Sequence, residues 1–211
     1  ECYAAYWNEE GMMAFVEDLF VALAKEFGTK NQIAVDGGTI VFKKPFPRIS
    51  FTDLLARHAL ITDYAYETRE SLVVAGRRFG IDVGPHDSKA KIADEIYKKI
   101  CRPHLVQPTF VINNPLEISP LSKRRKENPD EVRRFQLVVA GYELTNAFSE
   151  LNDPIDQYER FLSQETEREE GEEEAHRMDT DFVEALEYAM PPAAGLGIGI
   201  DRVVMLFTGT K

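Results

Sequence analysis

Apolar residues recur every three or four positions in several stretches of the chain, a spacing that predicts amphipathic helices. The clearest stretch covers residues 11–27, with Gly28 as a stop, and its apolar positions are Met12, Phe15, Val16, Leu19, Phe20 and Leu23. Further helices are predicted over residues 51–58, 68–79 and 88–101, the last two opened by a Thr or Ser cap. Gly80 closes the second of these, and Pro154 begins a long helix, since proline is tolerated in a first helical turn.

Shorter apolar runs bounded by turn residues predict β-strands. Residues 33–35 and 39–42 flank Asp36-Gly37-Gly38 and predict a hairpin, and residues 109–112 predict a short strand. Residues 135–139 and 142–150 predict a strand pair that turns at Ala140-Gly141. No internal repeat and no hinge rich in Pro, Gly or Ser divides the chain. We therefore expect residues 1–211 to form one domain.

Composition narrows the function classes. The net charge of −11 argues against a broad nucleic-acid-binding surface on this chain, because phosphates are held by positive charge. Cys2 and Cys101 have neither metal-ligand nor disulfide spacing, which makes a reducing cytoplasm the default. No apolar run approaches the ~18 residues needed to span a bilayer, so we expect no membrane partner.

Three side chains between residues 143 and 153 are predicted to share one strand face. Asn146, Phe148 and Glu150 are spaced by two, and side chains alternate along a strand. An amide, an aromatic ring and a carboxylate would therefore project together. They suit a ligand with a carboxylate at one end, an aliphatic middle and a cation at the other.

A glycine-rich run precedes an Asp-Arg pair near the C-terminus. From Gly195 to Arg202 the sequence is Gly-Leu-Gly-Ile-Gly-Ile-Asp-Arg, and it opens an apolar helix. Glycines let the backbone approach a bound group closely, and an arginine can fork onto phosphate. A dinucleotide-binding loop is rejected, because the run lacks the GxGxxG spacing and does not begin a βαβ unit.

Together these segments resemble the C-terminal part of the catalytic domain of class II lysyl-tRNA synthetases. The resemblance covers residues 1–211, and its last motif is similar to the third signature motif of that class. It implies an α/β (α+β) fold, with a mostly antiparallel sheet flanked by helices. It also implies a fragment that lacks the anticodon-binding domain, the first motif and the arginine-bearing first strand of the second motif. The most specific segments are Glu1-Cys-Tyr3, His104-Leu-Val-Gln-Pro-Thr-Phe110, Glu117-Ile-Ser-Pro-Leu121, Ser149-Glu-Leu-Asn-Asp153, Ala185-Leu-Glu-Tyr188 and Gly195 to Arg202.

The resemblance implies a binding site for L-lysine. A lysine ammonium needs a desolvated carboxylate, because its lost hydration must be replaced by a paired charge. Glu150 is the candidate, with the Tyr3 hydroxyl as a second acceptor. We expect Phe148 to pack along the lysine methylenes and Asn146 to donate its amide to the lysine carboxylate. Glu1 resembles the glutamate of the family's amino-acid pocket.

The resemblance also implies ATP and Mg²⁺ as cofactors. Adenylate formation is an in-line attack of the amino-acid carboxylate on the α-phosphate, so it needs charge neutralisation and no protein nucleophile. Arg202 is the candidate catalytic residue and resembles the arginine that binds the terminal phosphate of bent ATP. The other expected ATP-binding residues are Gln136, Leu137, Glu143, Gly197 and Gly199.

The expected magnesium site departs from the family pattern, which usually has two glutamates on the strand pair before Asn146. Glu143 matches one of them, but Gln136 stands at the other position and brings a carbonyl without negative charge. With a two-residue turn, Val138 opposes Glu143, so Gln136 and Glu143 share a face. Because Glu143 and Asn146 are three residues apart, we expect a β-bulge near residues 144–145 to restore a common face.

Three functions remain open. The first is lysine–tRNA ligase, with L-lysine, ATP and the acceptor end of tRNA(Lys) as partners and a homodimeric parent enzyme. The second is a paralogue that activates a lysine-like amino acid and transfers it to a protein such as elongation factor P. The intact Ser149-Glu-Leu-Asn-Asp153 favours the first. The third is a non-catalytic module derived from the same fold.

The remaining polar clusters are expected to be structural. The acidic run 165–174 predicts a solvated helix face. Lys123-Arg-Arg-Lys126 predicts a solvated loop that could meet the acceptor stem or the nucleotide. The histidines show no metal-ligand spacing; they are His58, His86, His104 and His176.

Overall fold

A six-stranded sheet forms the centre of the computed structural model, which describes residues 1–27, 30–35, 38–169 and 177–210. The strand order is β1-β8-β7-β6-β5-β4, and all neighbours are antiparallel except β4 and β5. A separate antiparallel hairpin joins β2 to β3. The strands are β1 (Cys2–Ala5), β2 (Gln32–Val35), β3 (Gly38–Val41), β4 (Arg48–Ser50), β5 (Thr109–Ile112), β6 (Arg134–Val139), β7 (Tyr142–Ser149) and β8 (Ala193–Ile198).

Seven α-helices flank the sheet in the part of the chain that the structure describes. The second and the fourth continue into π-helical turns, Leu55–Ala59 and Tyr97–Cys101. None of the helices is long and apolar enough to cross a membrane. They are α1 (Glu9–Phe27), α2 (Phe51–Leu54), α3 (Arg69–Arg78), α4 (Lys89–Ile96), α5 (Pro154–Glu169), α6 (Thr180–Glu187) and α7 (Ile200–Thr208).

Each face of the sheet covers its own hydrophobic core. The first core packs α1, α7 and the β2–β3 hairpin against alternate residues of β6, such as Phe135 and Leu137. The second core packs α2, α3 and α4 against the opposite face, where Val111 and Val138 lie. The alternation of side chains along β6 therefore assigns Leu137 to one core and Val138 to the other. The expected α/β fold with a mostly antiparallel sheet is confirmed.

The strand pair β6–β7 has the turn and the irregularity that its sequence predicts. Ala140 and Gly141 both have positive φ, 52° and 75°, as a type I′ turn requires. Val138 pairs with Glu143, whereas Leu137 pairs with Thr145, so Leu144 is an extra residue on β7. The expected bulge is thus confirmed, and it returns Glu143 and Asn146 to one face.

Local signals predicted most of the other elements, but strands β1, β4 and β8 and helix α6 were not predicted. Thr68 and Ser88 cap α3 and α4 through their side chains, as expected. Strands β1 and β4 were not predicted, because each has only four or three residues and pairs with a strand far away in the sequence. The expected stop at Gly28, the turn at Asp36-Gly37 and the acidic run beyond residue 169 lie outside the described residues.

Candidate active site

Four neighbouring strands bring the predicted site residues onto one face of the sheet. The register aligns Tyr3 of β1, Gly195 of β8 and Phe148 of β7 in one row. A second row aligns Gly197 of β8 with Asn146 of β7, which in turn pairs with Gln136 of β6. Because both β8 positions are glycines, a trough runs over β8, with the side chains of β1 on one side and those of β7 on the other. We call this feature the trough.

Gly195 makes room for Glu150 at one end of the trough. A Cβ atom added to Gly195 would lie 2.0 Å from Glu150 Oε1 and 2.9 Å from Tyr3 Cε1. The Glu150 backbone N–H donates to the Ala193 carbonyl at 2.9 Å, which holds the residue beside β8. Any larger residue at position 195 would therefore displace the carboxylate. The sequence analysis assigned no contact to Gly195; its signal was its position in the same glycine run as Gly197.

Two carboxyl groups and a phenol form the acidic end of the trough, defined by Glu1, Tyr3 and Glu150. The Tyr3 hydroxyl donates to Glu1 Oε1 at 2.7 Å, and this bond, with burial, raises the pKa of Tyr3 to about 12. Burial, reinforced by the charge of Glu1, raises the pKa of Glu150 to about 7. Within the described chain, no lysine, arginine or histidine side chain forms an ion pair with either carboxylate. The acidic end therefore suits a bound cation.

Asn146 lies further along the same face and is held by an arginine that the sequence analysis missed. Arg134 Nε donates to Asn146 Oδ1 at 2.8 Å, and Arg134 Nη1 donates to Ile118 O and Ser119 Oγ, both at 2.9 Å. Burial lowers the pKa of Arg134, an effect that Glu143 and Asp94 partly oppose. A signal was available, because Arg134 precedes Gln136 by two residues on a strand and so shares its face.

Glu143 and Arg202 meet where β7 and α7 adjoin, and we call this place the arginine end. Arg202 lies in the first turn of α7, and its Nη1 donates to the Glu143 carbonyl at 2.9 Å. The Gly199 N–H donates to the Leu144 carbonyl at 2.9 Å, which fixes the chain just before the helix. The exposed guanidinium of Arg202 keeps its other N–H groups available for an anion.

The two expected metal ligands differ in their surroundings. Gln136 is only 5% exposed, and the Tyr97 hydroxyl donates to its Oε1 at 3.4 Å. Glu143 is half-buried; burial, reinforced by the charge of Glu143, raises the pKa of Tyr97. Mg²⁺ is usually held by one or two carboxylates together with substrate phosphates. Glu143 offers one carboxylate of that kind, whereas the Gln136 carbonyl already accepts from Tyr97, and no cluster of three or more His, Cys, Asp or Glu residues occurs in the described residues.

The structure does not bring every expected residue to the trough. The side chain of Leu137 is fully buried in the first core, because it alternates with Gln136 and points to the opposite face. The positive charges of the basic loop, Lys123-Arg-Arg-Lys126, are largely engaged by partners within the chain. Its first three residues bind internal partners, with Lys123 donating to Asn152, Arg124 pairing with Asp156 and Arg125 pairing with Glu131.

The mostly antiparallel sheet, the trough over the glycines of β8 and the arginine at the start of the last helix together define a class II synthetase catalytic fold. A family model described as class II tRNA synthetases (D, K and N) matches residues 1–211, and the chain belongs to this family.

Bacterial lysine–tRNA ligases are among its relatives. The proteins of Moorella thermoacetica, Pelotomaculum thermopropionicum and Roseiflexus sp. are 43%, 45% and 47% identical to the chain over 208, 212 and 208 residues. Each match covers 99–100% of this chain but 42% of the relative. The chain thus spans about two fifths of the length of these proteins.

Proposed function

We propose that the protein is a lysine–tRNA ligase, which activates L-lysine with ATP to lysyl-adenylate and then transfers the lysyl group to tRNA(Lys). The observation that carries the proposal is the acidic end of the trough. There a half-buried carboxylate, Glu150, lacks an ion-pair partner in the described chain and has a pKa raised to about 7 by burial and by Glu1. A lysine ammonium would supply the missing charge.

The proposed pose of lysine follows strand β7. The ammonium would bind Glu150, with the Tyr3 hydroxyl oxygen as a second acceptor, since its proton is directed to Glu1. The methylenes would lie along Phe148, and the carboxylate would meet the Asn146 amide. Successive residues on one strand face are about 6.6 Å apart, so Glu150 and Asn146 are spaced to hold opposite ends of an extended ligand.

The nucleotide would bind between Asn146 and the arginine end. The lysine carboxylate oxygen attacks the α-phosphorus, the bond to the bridging oxygen breaks, and pyrophosphate leaves. We propose that Arg202 binds the terminal phosphate and that Gly197 and Gly199 allow the nucleotide to lie close to the backbone. Glu143 and the Gln136 carbonyl would hold Mg²⁺, which neutralises phosphate charge when it is bound.

The other proposed partners are those of the protein as its gene encodes it. We propose that the acceptor end of tRNA(Lys) enters the site after adenylate formation and that the parent enzyme is a homodimer in the cytoplasm. The internal pairing of Lys123, Arg124 and Arg125 supports little contribution of this loop to tRNA binding.

ATP–pyrophosphate exchange tests the proposal. With the protein as its gene encodes it, we expect exchange to depend on L-lysine and to be much weaker with ornithine or arginine, because the trough positions one primary ammonium. We expect Glu150→Gln to raise the KM for lysine sharply with little change in the KM for ATP, since breaking a buried ion pair costs about 3–5 kcal/mol. Transfer of label to tRNA(Lys), and not to a protein acceptor, would separate a ligase from a protein-modifying paralogue. Unchanged exchange in Glu150→Gln would refute the pocket assignment.

A further inference from the structure

Arg134 is a half-buried cation, and the atoms that accept its hydrogen bonds are all neutral. Its guanidinium binds Asn146 Oδ1, Ile118 O and Ser119 Oγ, and within the described chain none of its partners is a carboxylate. Burial opposes the charge of the guanidinium, and the nearby carboxylates of Glu143 and Asp94 partly offset that cost without hydrogen-bonding to it. Arg134 pairs with Phe148 in the sheet and binds Asn146, so its charge lies on the same face of the sheet as the trough.

The hydrogen bond to Arg134 fixes the orientation of the Asn146 carboxamide. An arginine has only donors, so the atom that faces Nε must be the amide oxygen, at 2.8 Å. The NH₂ group of Asn146 then points away from Arg134. The strand partner of Asn146 on the other side is Gly197, which has no side chain to intervene. The amide donors are therefore directed to the open trough.

We infer that Arg134 is the positioning residue for carboxylate recognition: it locks Asn146 with its amide N–H₂ facing the carboxylate of the amino-acid substrate. The inference rests on the lysine site proposed above and extends it by a residue that does not touch the substrate. A freely rotating asparagine would present its oxygen to the carboxylate as readily as its nitrogen, and the oxygen would repel it. A donor-only partner removes that alternative, and its charge polarises the amide.

A purely structural role for Arg134 can be distinguished from the positioning of Asn146, because Arg160 supports the same loop and provides a matched comparison. Arg134 also ties down the loop at residues 118–119. Arg160, which is buried and paired with Asp156, donates to the carbonyls of Ser119, Pro120 and Ser122 in the same loop, at 3.2, 3.4 and 2.5 Å. No hydrogen bond joins Arg160 to Asn146, so substitutions of Arg160 disturb the loop without freeing the amide.

The test compares two substitutions of Arg134: one whose side chain can only donate hydrogen bonds, and one whose side chain can both donate and accept them. Arg134→Lys keeps a donor for Asn146 Oδ1, whereas Arg134→Gln also offers an acceptor and so leaves the amide free to turn over. The two ligands are L-lysine and 1,5-diaminopentane, which has the same ammonium and methylenes without the carboxylate. Dissociation constants for both are measured on the protein as its gene encodes it, together with thermal unfolding.

The expected result is a change in discrimination. The ratio of the 1,5-diaminopentane to the lysine dissociation constant should fall at least tenfold in Arg134→Gln, stay within threefold of the unmodified protein in Arg134→Lys, and stay unchanged in Arg160→Gln. The inference would be overturned if this ratio fell equally in Arg134→Lys and Arg134→Gln. It would also be overturned if the ratio fell as far in Arg160→Gln as in Arg134→Gln. Should Arg134→Gln fail to fold, Arg134→Lys still decides, because a tenfold loss there refutes donor-only positioning. Failure of the unmodified protein to prefer lysine would instead refute the proposed function.

Discussion

At the scale of single residues, the site depends as much on missing side chains as on those present. Glu150 reaches its position because Gly195 leaves the space that a Cβ atom would fill, and the neighbouring Tyr3 ring closes that space from the side of β1. The spacing of Asn146, Phe148 and Glu150 predicts their common face from sequence. The glycine run marked position 195, but its contact with Glu150 could not be predicted, because it joins strands distant in sequence.

We predict that Gly195→Ala selectively weakens lysine binding. The added methyl would lie 2.0 Å from Glu150 Oε1, so the carboxylate must move, and we expect the KM for lysine to rise at least tenfold. The matched control is Gly199→Ala, whose methyl would have its nearest contact 3.6 Å away, at Arg202 Cδ. We expect that control to spare lysine affinity and to affect ATP instead. Steady-state pyrophosphate exchange measures both constants, and an unaltered lysine KM in Gly195→Ala would contradict the placement of Glu150.

The raised pKa of Glu150 predicts opposite pH effects on binding and on stability. Lysine binds the carboxylate form, so its affinity should rise as the pH passes through about 7, the pKa of Glu150. Because the folded pKa lies above the ordinary value, the unfolded chain loses this proton first, and the stability of the fold falls from the ordinary glutamate pKa up to about 7.

Glu150→Gln should therefore abolish the pH dependence of lysine binding between pH 6 and 8 and raise the melting temperature at pH 8 while leaving it nearly unchanged at pH 4. Calorimetric titration and thermal unfolding at these pH values check the two effects. A melting temperature that is lower at pH 8 than in the unmodified protein would show that Glu150 is stabilised as a carboxylate by a partner in the folded state.

At the scale of secondary-structure elements, local sequence signals were sufficient to predict strands that pair with the next strand along the chain. The hairpin β6–β7 follows from its two-residue turn, and the parity conflict between Glu143 and Asn146 predicted the extra residue found at Leu144. In contrast, β1 and β4 carry too few residues for an alternating pattern, and β1 pairs with β8 from the other end of the chain. Arg134 was missed for a related reason: its partners Ile118 and Ser119 come from a loop whose path the sequence does not predict.

The turn of this hairpin gives a prediction for stability. Gly141 has φ of 75°, and a Cβ there would also lie 3.4 Å from the Pro103 Cα. Gly141→Ala should lower the free energy of unfolding by about 1–2 kcal/mol, the usual cost of a left-handed conformation for a residue with a side chain. Ala140→Gly is the control, because Ala140 already has φ of 52° and glycine relieves that conformation. Denaturant unfolding of both variants measures the effect, and equal destabilisation would argue against the left-handed turn.

At the scale of the whole molecule, charge is distributed unevenly along the proposed reaction path. The acidic end has two carboxyl groups, whereas Arg134, which is half-buried and hydrogen-bonded to Asn146, and Arg202 at the arginine end contribute positive charge. In the described residues, the hydrogen bonds from arginine to the trough residues of β7 are those of Arg134 to Asn146 and of Arg202 to the Glu143 carbonyl. Attack on an α-phosphate concentrates negative charge on that phosphate. One missing charge-stabilising donor typically costs ~10²–10³ in rate.

We therefore predict that the 211 residues alone fold but activate lysine far more slowly than the protein as its gene encodes it. The chain spans 42% of the length of its relatives, and the outer edge of β1 has no partner strand among the described residues. Two complete cores support folding, which circular dichroism and cooperative thermal unfolding would verify. ATP–pyrophosphate exchange on both forms, at equal molar concentration and with sedimentation to record the oligomeric state, measures activity. Exchange by the 211 residues within tenfold of the protein as its gene encodes it would show that the trough, Arg134 and Arg202 suffice for the chemistry.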